Sequence, residues 1–430
     1  MTITDNIVGL DSRQLSDWLS YIETLHPHRM EFGLERISHV AENLNLLHFD
    51  CPIVTVAGTN GKGSNVGLLA AILSVAGYRV GTYTSPHLRH YHERIRVGSQ
   101  CISDQDLCHA FFQVEKKRLG TSLTYFEYGT LAALYYFKQV PLDLIILEVG
   151  LGGRLDAVNC VDADLSIIST IAIDHTQWLG KTREKIGLEK AAIMRAYRPC
   201  VCGDFSPPTS VLNTAKSLNS PLYRLGVEFD YKMQHSSWSW QSRKRSLHHL
   251  PLPTIDLQNA ATVLQAVELL SERFTIASFA IQEGLKRVFV PGRFHIIEKN
   301  ARQIIVDVAH NPAGGVCLSK RLANTPCLGE TYALAGMMAD KDITNTFRPL
   351  SNHVDYWYLC DLTEHRGAKA TQLKQSLLDL KVKQSILEFS SPEFAFQRAF
   401  SQLRKNDRLL IFGSFHTAAA IYHYLERESL

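Results

Sequence analysis

From Cys51 onward the chain alternates short apolar runs rich in β-branched residues with longer stretches whose apolar positions recur at three and four. Runs of the first kind, bounded by turn residues, read as strands; the second kind reads as helices, and their alternation predicts a parallel sheet covered by helices. The strands expected are 53–57, 78–84, 142–149 and 165–171. Helices are expected over 65–76, 103–118 with Ser103 as N-cap, 126–138 and 182–195. Residues 223–250 break the rhythm, because Trp238 and Trp240 alternate with polar residues, and small antiparallel strands are predicted there. Helices follow over 258–270 and 276–287, and then Val290-Pro291-Gly292-Arg293 interrupts the pattern. A second alternating series has strands near 304–308, 331–335, 354–359 and 408–412, each followed by a helical stretch. The boundary is placed near residue 295, giving domains over 1–295 and 296–430.

Composition agrees with two domains. At 430 residues the chain exceeds the roughly 250 to 300 that one hydrophobic core serves. A hydrophobic share of 45%, a charged share of 20% and a mean hydropathy of -0.07 are those of a globular chain, neither disordered nor membrane-embedded. The best apolar run, 66–76, is half the roughly 20 residues a spanning helix needs, so no membrane association is expected. The first eleven residues hold two acids, no basic residue and no apolar core, which does not match a secretory signal. A cytoplasmic location is expected, with the nine scattered cysteines as reduced thiols. Cys200 and Cys202 form the only close pair, and no zinc spacing occurs. Net charge is +3, and the single basic cluster, Arg243 to Arg245, reads as an exposed hairpin turn, so no nucleic-acid partner is expected. Mild basicity suits small anionic substrates.

Candidate chemistry begins at 54–64, where an apolar strand runs through Ala57-Gly58-Thr59-Asn60-Gly61-Lys62-Gly63-Ser64 into the expected helix. Backbone N–H groups at such a turn can surround phosphate oxygens, aided by the partial positive charge of the helix start, while Lys62 reaches the terminal phosphates. The strict G-x-x-x-x-G-K-[ST] string is not met: Val56 holds its first glycine position and Gly63 separates Lys62 from Ser64. The same glycines would also permit a plain tight turn with positive φ, although that leaves Lys62 without a purpose.

The loop resembles the modified phosphate loop of the Mur ligase superfamily. Its surroundings resemble one branch, the bacterial bifunctional dihydrofolate synthase/folylpolyglutamate synthases: Thr84-Ser85-Pro86-His87-Leu88, Leu123-Thr124-Tyr125-Phe126-Glu127-Tyr128-Gly129-Thr130, the run from Leu147 through Gly152-Gly153-Arg154 to Ala157, Asp174-His175, Pro291-Gly292-Arg293-Phe294 and Asp307-Val308-Ala309-His310-Asn311-Pro312. The match runs in order from about Ser16 to His416. It implies an α/β fold with an N-terminal P-loop ATPase-type domain, mostly parallel in its sheet with a small antiparallel element, and a C-terminal Rossmann-like domain. It also implies ATP-dependent amide bond formation between a pteroate or folate carboxylate and L-glutamate. ATP is then a co-substrate, and 7,8-dihydropteroate and reduced folates are acceptors.

Site residues follow from the resemblance, each weighed against what it would mean alone. Phosphoryl transfer onto a carboxylate needs positioning and charge neutralisation, so Mg²⁺ is expected, at two sites. Ser85 and Glu148, both at predicted strand ends, resemble the ligands of the first; alone, Ser85 is a turn residue before Pro86. His175 resembles a ligand of the second, though imidazole suits other metals better and a lone histidine is commonly a capping residue. Lys190 alone reads as a surface lysine, whereas the family's lysine here is carbamylated and serves that second metal. Lys62, His175 and Lys190 are thus the expected catalytic residues. For the pteroate, Asp156 resembles the acid that accepts the pterin's parallel N–H donors and Phe126 the ring that stacks on it, with Thr124, Tyr125, Glu127, Leu155 and Ala157 around them. Alone, Phe126 is ordinary core. Met30, Glu31 and Phe32 match another pteroate-contacting stretch, where Ile-Asp-Leu is commoner in the family. Asn259 resembles the adenine contact, Arg293 the arginine that reaches phosphate and Asp307 the ribose acid; His310 stands for nucleotide, glutamate or loop support.

A peptidoglycan amino-acid ligase fits less well, since only about fifty residues precede the phosphate loop. A nucleotide-gated binding protein without ligase turnover is the alternative of another class. A monomer is expected, because two lobes suffice to bury a core.

Overall fold

The computed structural model describes residues 13–27 and 31–427. Met30 and the N-terminal stretch examined for a signal lie outside the described residues. The chain divides between Val288 and Phe289 into two compact units.

The first unit is built on eight strands: β1 (Ile53–Ala57), β2 (Val80–Tyr83), β3 (Ile95–Val97), β4 (Gln100–Cys101), β5 (Leu144–Glu148), β6 (Leu165–Ile168), β7 (Cys200–Cys202) and β8 (Leu222–Arg224). Their order is β4-β3-β2-β5-β1-β6-β7-β8, and the six from β2 to β8 run parallel while β3 and β4 turn back at one edge. Every residue of β1, β5 and β6 is buried, as a parallel sheet covered on both faces requires. The close cysteine pair is buried in β7, and all nine cysteines are free thiols. β8 is a correction: it overlaps the start of the 223–250 stretch read as antiparallel, at Tyr223 and Arg224, yet pairs in parallel with β7. Three residues are too few to carry a period of their own. The antiparallel element proper is β9 (Phe229–Met233), β10 (Trp238–Ser242) and β11 (Ser246–Leu250), in the order β11-β10-β9. Trp238 and Trp240 are fully buried and donate their ring N–H to the carbonyls of Pro251 and Ala261. The basic cluster tops this hairpin, where Lys244 pairs with Glu272 and Arg243 with Glu228.

Ser103 caps Asp104–Arg118 as expected, accepting from the Asp106 N–H at 3.0 Å. Two helix limits differ from the pattern by three residues or more. The helix after β1 begins at Lys62, three residues before Asn65, because Gly61 in the left-handed region (φ 84°) turns the chain directly into it. The helix that carries Lys190 ends at Ala191 and not at 195.

The second unit is a six-stranded sheet of β12 (His295–Lys299), β13 (Arg302–Val306), β14 (Thr331–Ala335), β15 (Tyr356–Cys360), β16 (Ser385–Phe389) and β17 (Arg408–Phe412), ordered β12-β13-β17-β14-β15-β16. Only β12 is antiparallel. The edge strands β12 and β16 escape the apolar pattern because each leaves several residues exposed. Trp357, Phe347 and Phe412 centre this unit's core.

In the first unit, the helix Ser278–Arg287 lies against the helix Lys62–Val75 so closely that a Cβ on Gly284 would sit 2.8 Å from Ile72 Cα and 3.0 Å from Ile72 N. Backbone cannot yield as a side chain can, so overpacking outweighs the helix propensity that alanine brings. Gly284→Ala should lower unfolding stability in urea by about 1–2 kcal/mol; an unchanged or raised midpoint would show that these helices separate without cost.

Candidate active site

The site forms where β2, β5, β1 and β6 end side by side, since parallel pairing delivers four carboxyl ends to one edge. The 58–64 turn leaves β1 and is fixed from below by the residues after β6. Thr59 N–H donates to the Thr170 carbonyl (2.7 Å), and its hydroxyl to the Ala172 carbonyl (3.1 Å). Ser169 Oγ and Thr170 Oγ1 donate to the Asn60 carbonyl at 2.6 and 3.1 Å. Gly58, at φ 154°, touches Ser169 so closely that any Cβ would overlap its hydroxyl. Gly61 likewise faces Asn259, whose Oδ1 accepts from Asn65 Nδ2 at 3.0 Å. Asn65 also donates to the Gly61 carbonyl at 2.8 Å. The turn and Asn259, 194 residues from Asn65, are thus brought together.

Two ammonium groups converge on one backbone oxygen. Lys62 Nζ donates to the Gly58 carbonyl at 3.2 Å and Lys190 Nζ to the same oxygen at 3.0 Å. Lys190 is 3% exposed, which overturns its reading as a surface lysine. Burial above all, and then the Lys62 charge, push its pKa down to about 7, against the opposing pull of Asp174, Asp156 and Glu189. A substantial neutral fraction follows at physiological pH.

Glu148 closes β5 and is buried at 3% exposed. Its Oε2 accepts the Ser85 N–H at 3.2 Å and stands 3.6 Å from where a Cβ on Gly63 would be. Ser85, Glu148 and the helix start therefore meet. The loop carrying Ser85 is pinned by two residues the sequence did not single out: Glu93 accepts the Leu88 N–H, and Arg94 donates to His87 Nδ1 at 2.9 Å. His175, in the left-handed region at φ 50°, starts the short helix Thr176–Leu179. Its N–H donates to Asp174 Oδ1 at 2.8 Å, and its Nε2 stands 4.0 Å from Asp174 Oδ2.

Asp156 is buried, and burial raises its carboxyl pKa to about 6 despite the N–H groups of Leu151 and Val158 that it accepts. Leu155 and Ala157 flank it. Phe126 lies half-buried against Gly150, where a Cβ would come within 2.7 Å of its ring, and 5.9 Å from the Tyr83 ring. Thr124 and Glu127 have an architectural duty in addition: they form the capping box of the helix Tyr125–Gln139, with Thr124 N–H donating to Glu127 Oε2 at 2.7 Å. Glu127 further accepts from Arg36 at 3.1 Å, and Arg36 pairs with Glu31. Tyr125 lies under the Arg94 guanidinium. Phe32 meets the ring of Trp178 edge-on at 5.2 Å.

Arg293, Asp307 and His310 stand together in the second unit. Asp307 is buried and accepts the Phe294 and Ala309 N–H groups at 2.8 and 2.7 Å. Burial raises its pKa, which the Arg293 charge opposes. The Arg293 guanidinium lies 5.0 Å from the Phe415 ring centre, and His310 Nδ1 is 2.8 Å from the Val308 carbonyl.

Residues 292–415 match the family model for the Mur ligase glutamate ligase domain. The chain is 43% identical over 412 residues to the dihydrofolate synthase/folylpolyglutamate synthase of Escherichia coli K12, covering 96% of each, and 40% identical over 429 residues to that of Haemophilus influenzae, covering 96% of this chain and 98% of the other. Among solved structures it resembles E. coli FolC in complex with DHPP and ADP, with a TM-score of 0.93 and 41% identity over 98% of this chain and 99% of that one. A bifunctional folylpolyglutamate synthase/dihydrofolate synthase with Mn, AMPPNP and L-glutamate bound gives a TM-score of 0.89 and 44% identity over 98% and 99% of the chains.

A Cβ on Gly61 would collide with the Asn259 amide at 2.2 Å and strain a left-handed residue as well. Gly61→Ala should weaken binding of an ATP analogue at least about tenfold by calorimetry, and unaltered affinity would mean that the turn does not hold phosphate.

Proposed function

The chain belongs to the dihydrofolate synthase/folylpolyglutamate synthase family, and we propose that it activates the carboxylate of 7,8-dihydropteroate with ATP and joins it to L-glutamate, then repeats the reaction on the glutamate tail of reduced folates. It is an ATP-dependent amide ligase. The observation that carries the site-level reading is the pair of lysines on the Gly58 carbonyl beside buried Glu148. A dry pocket at a helix start, with Lys62 as its fixed cation, suits the transfer of a phosphoryl group to an acid that is otherwise a poor electrophile.

In this reading a carboxylate oxygen attacks the γ-phosphorus and ADP leaves; the glutamate amine then attacks the acyl carbon, and the oxygen that bonded to phosphorus departs with orthophosphate. Gly58, Thr59, Asn60, Gly61, Gly63 and Ser64 hold phosphate through the backbone, Lys62 neutralises it and Asn259 serves the adenine. In the second unit, Arg293 serves phosphate and Asp307 ribose. Asp156 accepts from the pterin edge and Phe126 stacks on the ring, with Thr124, Tyr125, Leu155, Ala157 and Phe32 around them. Glu127 and Glu31 act chiefly through their ion pairs with Arg36.

A divalent cation fits the residues present. Glu148 is a buried carboxylate beside Ser85 and Gly63, a hard-oxygen set at the strand ends. We take the ion as Mg²⁺, which when bound would neutralise charge between the β and γ phosphates. A second Mg²⁺ would be held by His175 and a carbamylated Lys190. A cytoplasmic monomer is proposed, each unit having its own core.

Phosphate release from ATP should require both dihydropteroate and glutamate. With oxygen-18 in the pteroate carboxylate, one label per turnover should appear in orthophosphate by mass spectrometry. ATP hydrolysis indifferent to both substrates would instead favour a nucleotide-gated binding protein.

Carbamylation needs the neutral amine: its nitrogen attacks CO₂, an N–C bond forms and a proton leaves. With a pKa lowered to about 7, Lys190 is ready for this near neutrality, and readiness falls below that pH as the amine protonates. Activity should drop when CO₂ is stripped from the enzyme and return with bicarbonate, and Lys190→Ala should lose about a hundredfold in kcat. Full activity of that variant, together with indifference to CO₂, would end this assignment.

A further inference from the structure

The residues assigned to the pteroate and those assigned to phosphoryl transfer lie on neighbouring elements, and the aromatic pair Phe32 and Trp178 adjoins the second set, Trp178 following His175 on its short helix. One loop touches both sets. Gly150 faces Phe126, while Gly152, two residues on, faces Leu179 of the helix Thr176–Leu179, a Cβ on it falling 3.0 Å from Leu179 Cδ2. That helix starts at His175, the residue assigned to the phosphate end. Trp178 is three positions further, and its backbone N–H donates to the His175 carbonyl at 2.9 Å, which ties the helix carrying Trp178 to that residue.

Leu179 turns inward and is 7% exposed, whereas Trp178 remains 44% exposed with the Phe32 ring edge-on at 5.2 Å. A large ring left in water loses the burial that gives it its worth, and the chain's other four tryptophans, Trp18, Trp238, Trp240 and Trp357, are at most 1% exposed. Dihydropteroate has a pterin at one end, a carboxylate at the other and a benzoyl ring between. We propose that Trp178, braced by Phe32, is a substrate-binding residue whose ring packs against that benzoyl group.

This inference rests on the reading of the site given above. Steady-state kinetics on the full-length enzyme tests it. Trp178→Ala should raise the KM for dihydropteroate about tenfold and leave kcat and the KM for ATP within about twofold, because the ring contributes equally to ground and transition states. Trp178→Phe should recover most of the loss. In a second readout, the exposed indole is the source of long-wavelength emission. Dihydropteroate added with a non-hydrolysable ATP analogue and Mg²⁺ should quench that emission in the wild type beyond what Trp178→Phe shows, the latter reporting absorption by the pterin and quenching of the buried rings. An unchanged KM for dihydropteroate in Trp178→Ala, or equal rises for dihydropteroate and ATP, would overturn the proposal while wild-type turnover leaves the ligase reading standing. A wild-type enzyme that makes no product from dihydropteroate would overturn both.

Discussion

Two lysine amines on one carbonyl oxygen govern the rest of the site. Like charges repel strongly where water is excluded, and Lys62 and Lys190 share the Gly58 oxygen, so the pair is eased when one of them is neutral. Lys190, the more deeply buried, is the one whose pKa falls to about 7. The same dryness acts in the opposite sense on Asp156, raised to about 6 even with Lys62 drawing it down. Burial prevails over pairwise charge in both groups, which is the condition under which a developing anion gains most from fixed cations.

That pocket exists because parallel pairing fixes register. Val56 pairs with Glu148, Ala57 with Ile168 and Tyr83 with Leu147, so the ends of four strands lie level. Residues scattered from 58 to 170 along the chain therefore face one another without any long loop reaching across. The left-handed Gly61 then starts the helix at Lys62 itself, setting this lysine in the first turn beside the helix N–H groups, which favour an anion.

Much of this was legible in the sequence. The apolar runs at 53–57, 331–335 and 408–412 coincide with β1, β14 and β17, because fully buried parallel strands are continuous in their hydrophobicity. That the glycine turn, Ser85 and Glu148 sit at strand ends was likewise visible, and the structure brings them together. Less legible was whatever depends on three-dimensional neighbours. β8 is too short to show a period, and β12 and β16 lie on exposed edges. Lys190 looked like a surface lysine because a helix sequence does not reveal which face is covered. Glu127 and Thr124 have the S/T-x-x-E spacing of a capping box as well as a family match, and only the hydrogen bonds show that the box forms. Asn65, Ser169 and Thr170 were missed outright. The available signal was that polar side chains sat at the end of a buried strand and in the first turn of an otherwise apolar helix.

One further connection ties substrate position to chemistry. The loop from Gly150 to Ala157 holds Asp156, and it is fastened to the helix Arg183–Ala191 that bears Lys190. Arg154 N–H donates to the Glu189 carbonyl at 2.9 Å, and Gly153 approaches so closely that a Cβ would lie 2.6 Å from that same oxygen. The group assigned to the pterin and the lysine assigned to the phosphoryl end therefore hang from adjacent residues of one rigid joint. Since rate in a positioning mechanism falls steeply with sub-ångström misplacement, a joint with no room for a side chain is what such a mechanism requires. Glycine at 153 is a requirement of the packing that joins the two segments.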